Sequence, residues 1–225
     1  MRNVYLDYSA TTPVKDQVLQ EMIPYFTEKF GNPSSLYDKG LESKDAVTHA
    51  REQVAELINA KPSEIFFTAG GTEADNWAVF GTAEKLKAKG NHIITTKVEH
   101  HAMLHSCAAL EKDGFEVTYL DIDKDGFVDL KQLEDSITDK TILISIMLVN
   151  NEIGTIQPIK EAAAIAKRHK VLFHTDAVQG LGNVPIDVRD MGVDMMSLSS
   201  HKIYGPKGVG ALYIRKGVSI ANYMY

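Results

Sequence analysis

The stretch "VDMMSLSSHKIYGPKGVGALYIR", residues 193–215, contains two apolar runs, 193–199 and 209–214, joined by the nine residues 200–208. Each run has strand length, and the Gly- and Pro-bearing link between them carries no helical pattern. Upstream, strand-like and helix-like segments alternate instead. One antiparallel strand in an otherwise parallel sheet is the simplest arrangement that accommodates both facts.

The upstream strands read at "EIFFTA" (64–69), "HIITT" (92–96), "FEVTYL" (115–120), "TILISIML" (141–148) and "VLFHTDAV" (171–178). They are mostly continuous apolar runs, the pattern of a sheet covered on both faces. Helical spacing occupies "KDQVLQEMIPYFTEKF" (15–30), "LESKDAVTHAREQVAELINA" (41–60), 70–90, 100–114, 129–137 and 159–170, and "GNPSSLYDKG" (31–40) is turn-rich. The alternation predicts an α/β layered fold around a mainly parallel sheet.

The composition is that of a globular chain: 225 residues, 44% hydrophobic, 24% charged, net charge −6. No basic face is implied, so nucleic acid is not an expected partner. No apolar run approaches the roughly 20 residues that span a bilayer, so no membrane association is expected. The first residues, "MRNVYLDYSATTPV", lack a basic region followed by an apolar stretch, so no signal peptide is expected. A single cysteine, Cys107, allows no internal disulfide and fits a reducing compartment. The expected location is cytoplasmic.

In parallel α/β sheets, ligands bind beyond the carboxyl ends of the strands. Chemically capable residues follow five of these ends: Gly70, Gly71 and Thr72; Glu99, His100 and His101; Asn150, Asn151 and Glu152; Asp176 and Gln179; Ser200, His201 and Lys202. "AGGTEADN" places glycines and a threonine at a helix start, where exposed amides and the positive helix end can cup a phosphate. The same pattern also suits a tight strand-to-helix turn with Thr72 as N-cap. It satisfies neither the Walker nor the G-x-G-x-x-G spacing. Asp176 reads either as an N-cap for "AVQG" or as the partner of a buried cation, such as a protonated pyridine nitrogen. His100 can stack on a flat ring or move protons.

Two other motifs carry less. His101 and His105 lie four apart, a zinc spacing with no third ligand close in sequence. "DIDKDGFVDLKQ" (121–132) imitates a calcium loop, but its twelfth position is Gln132 and a strand precedes it. No metal is expected. Lys202 is either a turn lysine or an amine that forms a Schiff base. An imine-forming lysine, a phosphate cup, an acid and a stacking histidine together describe a site for pyridoxal 5'-phosphate (PLP).

The segments "LDYSATTPV", "FGNPSS", "FTAGGTEADN", "VEHHA", "VNNEIGTIQP", "HTDAVQGLG" and "SSHKIYGPKGVGALYIR" resemble, in order, the NifS/IscS-type cysteine desulfurases of the class V aminotransferases. The resemblance runs from about residue 4 to the end of the chain. It implies the large domain of the type I PLP-dependent (aspartate aminotransferase-like) fold: three α/β/α layers, mostly parallel, with one antiparallel strand. By that resemblance residues 15–225 form the PLP-binding domain, and residues 1–14 an N-terminal segment near a small C-terminal domain. Lys202 matches the lysine that carries PLP, and His100 the histidine that stacks on its ring and moves protons. Asp176 matches the acid at the pyridine nitrogen. Gln179 and Asn151 match the pair at the phenolic oxygen. Gly71, Thr72, Ser199 and His201 match the phosphate-binding set.

The implied reaction takes L-cysteine to L-alanine and leaves sulfur as a protein persulfide, for an iron–sulfur scaffold or another sulfur acceptor. The implied assembly is a homodimer. The neighbouring readings are a selenocysteine lyase, another class V enzyme, or a non-catalytic binding or dimerisation module. The family's nucleophilic cysteine, its carboxylate-binding arginine and its Gly-rich "GGG.E" segment lie beyond the point matched by Tyr225. The expectation is therefore a truncated large domain, lacking the small domain and not competent for sulfur transfer. Cys107 matches no catalytic role and reads as a core thiol.

Overall fold

The computed structural model describes residues 2–224. Seven strands form one sheet: β1 (Ile65–Thr68), β2 (His92–Thr96), β3 (Glu116–Leu120), β4 (Thr141–Ser145), β5 (Leu172–Asp176), β6 (Met195–Ser199) and β7 (Gly210–Ile214). Their spatial order is β1-β7-β6-β5-β4-β2-β3. β7 runs antiparallel to both β1 and β6, and the other pairs are parallel. The 193–215 stretch thus supplies the single reversed strand, as its short connection requires.

Gly210 sits where three backbones converge. A Cβ there would lie 2.6 Å from both the Gly70 carbonyl carbon and the Leu198 oxygen, so only glycine permits β7 to slip between its neighbours.

Helices cover both faces. On one face lie α4 (Gly71–Leu86) and α5 (His101–Lys112), whose Ala78, Val79, Met103 and Cys107 pack on Ile93, Met195 and Leu212. On the other lie α3 (Asp38–Leu57), α6 (Leu130–Asp135), α7 (Ile159–Arg168) and the short α8 (Val188–Met191), packed on Ile94, Ile144, Phe173 and Met196. Strand alternation decides what the site receives. Along β5, Phe173 enters the α7 core, which leaves His174 and Asp176 on the α4 face.

The structure departs from the sequence reading at element ends. The segment 15–30 is not one helix but two, α1 (Asp16–Met22) and α2 (Pro24–Thr27), because Pro24 begins a new helix. α3 starts at Asp38, inside the stretch read as turn. Thr72 is not an N-cap: Gly70 holds that position, and Thr72 lies within the first turn of α4. α8 and the two short 3-10 turns, Pro62–Glu64 and Ser200–Lys202, lack a periodic apolar pattern and were not anticipated.

Candidate active site

A cavity of about 500 Å³ opens at the carboxyl ends of the strands. The nine residues that the family resemblance assigns all line it, whereas Gly70, Glu99, His101, Asn150 and Ser200 of the strand-end set do not. Gly71 and Thr72 come from the first turn of α4, and His100 from the N-cap of α5. Asn151 follows β4, and Asp176 and Gln179 close β5 and its turn. Ser199, His201 and Lys202 stand at the end of β6 and in the 3-10 turn beyond it.

The Lys202 turn is held from two sides. Ser200 donates its backbone N–H to the Val209 oxygen at 3.1 Å, and Gly205 donates to the Ser200 oxygen at 2.9 Å. The N-terminal segment clasps the other side through Thr12, which is buried. Thr12 donates its N–H (3.0 Å) and hydroxyl (2.9 Å) to the His201 carbonyl, and its hydroxyl accepts the Tyr204 N–H at 2.8 Å. Tyr204 has φ of 63°, a left-handed conformation costly for a non-glycine residue. These bonds hold it there, which fixes the direction of the lysine two residues earlier.

Lys202 Nζ donates to the Ala10 carbonyl at 2.8 Å and to the Ser9 carbonyl. Burial lowers its pKa, with Asp176 and Asp7 opposing. A larger share of its amine is therefore unprotonated and nucleophilic than in an exposed lysine. Asp176 is buried at the floor, and one oxygen accepts the Val178 N–H at 2.9 Å. It shapes the local turn, but the helix over "AVQG" that an N-cap would start does not form, and its carboxyl group lines the cavity.

His100 Nδ1 accepts the Ala102 N–H at 3.2 Å, which leaves Nε2 as the ring atom available to carry a proton. Gln179 donates to the Ser9 carbonyl at 2.8 Å, and Asn151 to Glu152 at 2.7 Å. Burial, then Lys202 and Lys207, lower the pKa of His201, whose Nδ1 lies 3.1 Å from the Thr11 hydroxyl.

The phosphate end shows two marks of a ligand cradle. Ser199 Oγ is buried without a hydrogen-bond partner beside the α4 terminus. A Cβ on Gly71 would meet Val178 Cγ2 at 2.7 Å, so glycine keeps this wall in place. An oxyanion accepting from Ser199, Thr72 and the first amides of α4 would satisfy donors that are otherwise unpaired.

Sequence reasoning missed Asp75, one turn into α4, which lines the same cavity with 1% exposure. It read Glu99 only as a polar residue after β2. Glu99 is buried, accepts the Met147 N–H (3.0 Å) and the Thr96 hydroxyl (2.7 Å), and burial raises its pKa from 4.5 to about 8. For Asp75 the available signal was an acid at a position the helical pattern assigns to a buried face; Glu99, in the loop between β2 and α5, carried no such signal.

The remaining motifs stay apart from the cavity's chemistry. The His101 and His105 rings stack at 5.3 Å, and among the described residues no three metal-ligating side chains gather. In the 121–132 turn, Asp123 accepts the Asp125 and Phe127 amides, and Asp121 is engaged by Lys97. Cys107 is fully buried and its thiol is pushed up to about 12. Among the described residues no helix is long and apolar enough to cross a membrane.

The profile of the aminotransferase class-V family matches residues 4–221. The chain belongs to the aminotransferase class-V family. Within that family, a cysteine desulfurase IscS of Clostridium botulinum is 59% identical over 224 residues, covering 100% of this chain and 56% of its own length. One from Methanosarcina thermophila is 59% identical, covering 96% of this chain and 54% of its own. The chain thus spans about half the length of the curated relatives it matches. A solved NifS-like protein superposes with a TM-score of 0.97 at 44% identity, over 100% of this chain and 62% of that one. SspA in complex with cysteine superposes with a TM-score of 0.96 at 43% identity, over 99% and 65%. The fold is accordingly that of the NifS-like PLP-dependent enzymes of class V.

Proposed function

We propose that this chain carries the cofactor site of a PLP-dependent cysteine desulfurase, which acts on L-cysteine and leaves L-alanine. The observation that carries this reading is one cavity holding the Lys202 amine, the buried Asp176 carboxylate and the amino end of α4. The class V membership, the IscS relatives and the solved SspA complex with cysteine support it. A homodimeric, cytoplasmic enzyme with an iron–sulfur scaffold as sulfur acceptor is the accompanying proposal, resting on the family resemblance.

PLP, when bound, supplies an aldehyde for amines and a protonated ring that draws electrons from the substrate's Cα. Lys202 would hold it through an amine that desolvation has made more nucleophilic. Asp176 would face the ring nitrogen and favour its protonated state. The α4 amides, Thr72, Ser199 and His201 would take the phosphate, and Gln179 and Asn151 would offer further donors from the same cavity wall. His100 is placed to carry a proton on Nε2 between the substrate and solvent. Cys107, with its buried, high-pKa thiol, is not the sulfur-accepting nucleophile.

Titration of the protein with PLP tests the reading. A visible absorption band should form, survive gel filtration, and respond saturably to L-cysteine. The Lys202→Ala variant should lack it while keeping the wild-type circular dichroism. An undiminished band in Lys202→Ala, or none in the wild type, overturns the assignment.

A further inference from the structure

Behind Asp176 lies a polar chain that the cavity lining alone does not explain. On β5, His174 is fully buried. Its Nδ1 lies 2.8 Å from Ser145 Oγ and its Nε2 lies 2.9 Å from Ser197 Oγ. Burial lowers the His174 pKa to about 3, so the ring is neutral and carries one proton. The Ser197 hydroxyl in turn reaches Asp75, and Asp75 reaches Asp176. A single direction of donation runs through the chain and leaves Asp75 Oδ1 without a partner. Ser145 donates to Nδ1, Nε2–H to Ser197, Ser197 to Asp75, and Asp75 to Asp176, which also accepts the Val178 N–H.

Two neighbouring carboxyl groups are thus buried in the cavity wall, Asp75 with 1% and Asp176 with 5% exposure. The charged and titratable groups around them are His174 and Asp176 from β5, Glu99 from the loop after β2, Lys202 beyond β6 and His100 at the start of α5. Lys202 and His100 bear on Asp176, whereas Asp75 is faced by the Asp176 and Glu99 carboxyls and the Ser197 hydroxyl. His174 Nε2 lies 3.7 Å from Asp75 Oδ1, beyond hydrogen-bond distance. Asp75 Oδ1 is buried with no partner, which an ionised carboxylate in this position would not tolerate. Asp176, by contrast, accepts the Val178 amide and faces the Lys202 amine, which oppose the burial that raises its pKa.

We propose that Asp75 is a positioning residue for Asp176: its carboxyl group keeps its proton and donates it in a hydrogen bond to the Asp176 carboxylate. The pair then carries one negative charge, aimed at the cation that the cavity receives. Two ionised carboxylates there would repel and splay; one neutral donor behind the other locks the charged one in place. The role of that charge as partner of a pyridine nitrogen rests on the function proposed above. The shared proton does not.

The experiment compares wild type with Asp75→Asn and Asp75→Leu. The wild-type minus Asp75→Asn infrared difference of the PLP-free protein at pH 7 should show one protonated-carboxyl band, that of the neutral Glu99 cancelling between the two. The asparagine amide replaces the donor, so its PLP affinity should stay within about threefold of wild type. Leucine removes the donor, and affinity should fall about tenfold or more, the scale of one hydrogen bond to a charged group. Absence of the carboxyl band overturns the proposal, as does leucine binding PLP as tightly as wild type. Should Asp75→Leu fail to fold, the infrared comparison with Asp75→Asn decides alone. Should the wild type bind no PLP, the cofactor reading falls, and the infrared difference still judges the shared proton.

Discussion

Replacing Glu99 by glutamine should stabilise the PLP-free protein, and by an amount that grows with pH. Glu99 Oε1 accepts both the Met147 N–H and the Thr96 hydroxyl, while Oε2 is buried without a partner. Glutamine keeps the two acceptor bonds on its oxygen and places an amide where the neutral acid holds its O–H. It therefore mimics the protonated side chain and removes only the ability to ionise. Burial raises the Glu99 pKa from 4.5 to about 8, so the folded state holds this proton more tightly than the unfolded chain. The stability linked to it is fully present below pH 4.5 and is lost as pH rises toward 8. Between 4.5 and 7 the loss follows about 1.36 kcal/mol per pH unit, which amounts to roughly 3 kcal/mol at pH 7. For a chain of this size that corresponds to a Tm gap of about 7–14 °C at pH 7, closing toward zero near pH 4. Thermal unfolding of wild type and Glu99→Gln, followed by circular dichroism across this range, measures it. A gap that does not change with pH, or a less stable glutamine variant at pH 7, would refute a neutral buried Glu99.

Two further outcomes follow from the geometry. Gly71→Ala places a Cβ 2.7 Å from Val178 Cγ2, so Val178 or the start of α4 must shift at the cavity wall. Urea denaturation should show a loss of about 1–3 kcal/mol, and PLP affinity should fall with it. Cys107 is fully buried and its thiol is pushed up to about 12. Ellman's reagent at pH 8 should leave it nearly unreacted in the native protein and titrate one thiol per chain in urea, whereas fast labelling of the native protein would contradict its packing under α5.

Most of the architecture was legible because its signals are local. Continuous apolar runs at β2, β4, β5 and β6 marked strands covered on both faces, and the helix-free link 200–208 marked the reversed β7. The errors fell where local signal is weak or divided. Pro24 ends one helix and starts another within a single apolar period. α8 is four residues long, too short for a period to appear. At the site, the nine residues assigned by the family resemblance line one cavity because strand ends in this topology converge on one edge.

The sequence by itself determined the strand order of chemistry along the chain: which residue follows which strand, and that one lysine stands among hydroxyls and a tight turn. Those properties depend on spacing and chain direction alone. Only the tertiary structure decided that Thr12, some 190 residues upstream of Lys202, clasps the lysine turn. Likewise, only folding brought Asp75 of α4 against Asp176 of β5, and left Glu99 dry beside them. An acid's spacing carries no record of what faces it across a sheet. Whether it holds a charge or a proton is set by burial and by its neighbours' charges, and both exist only once the layers have packed.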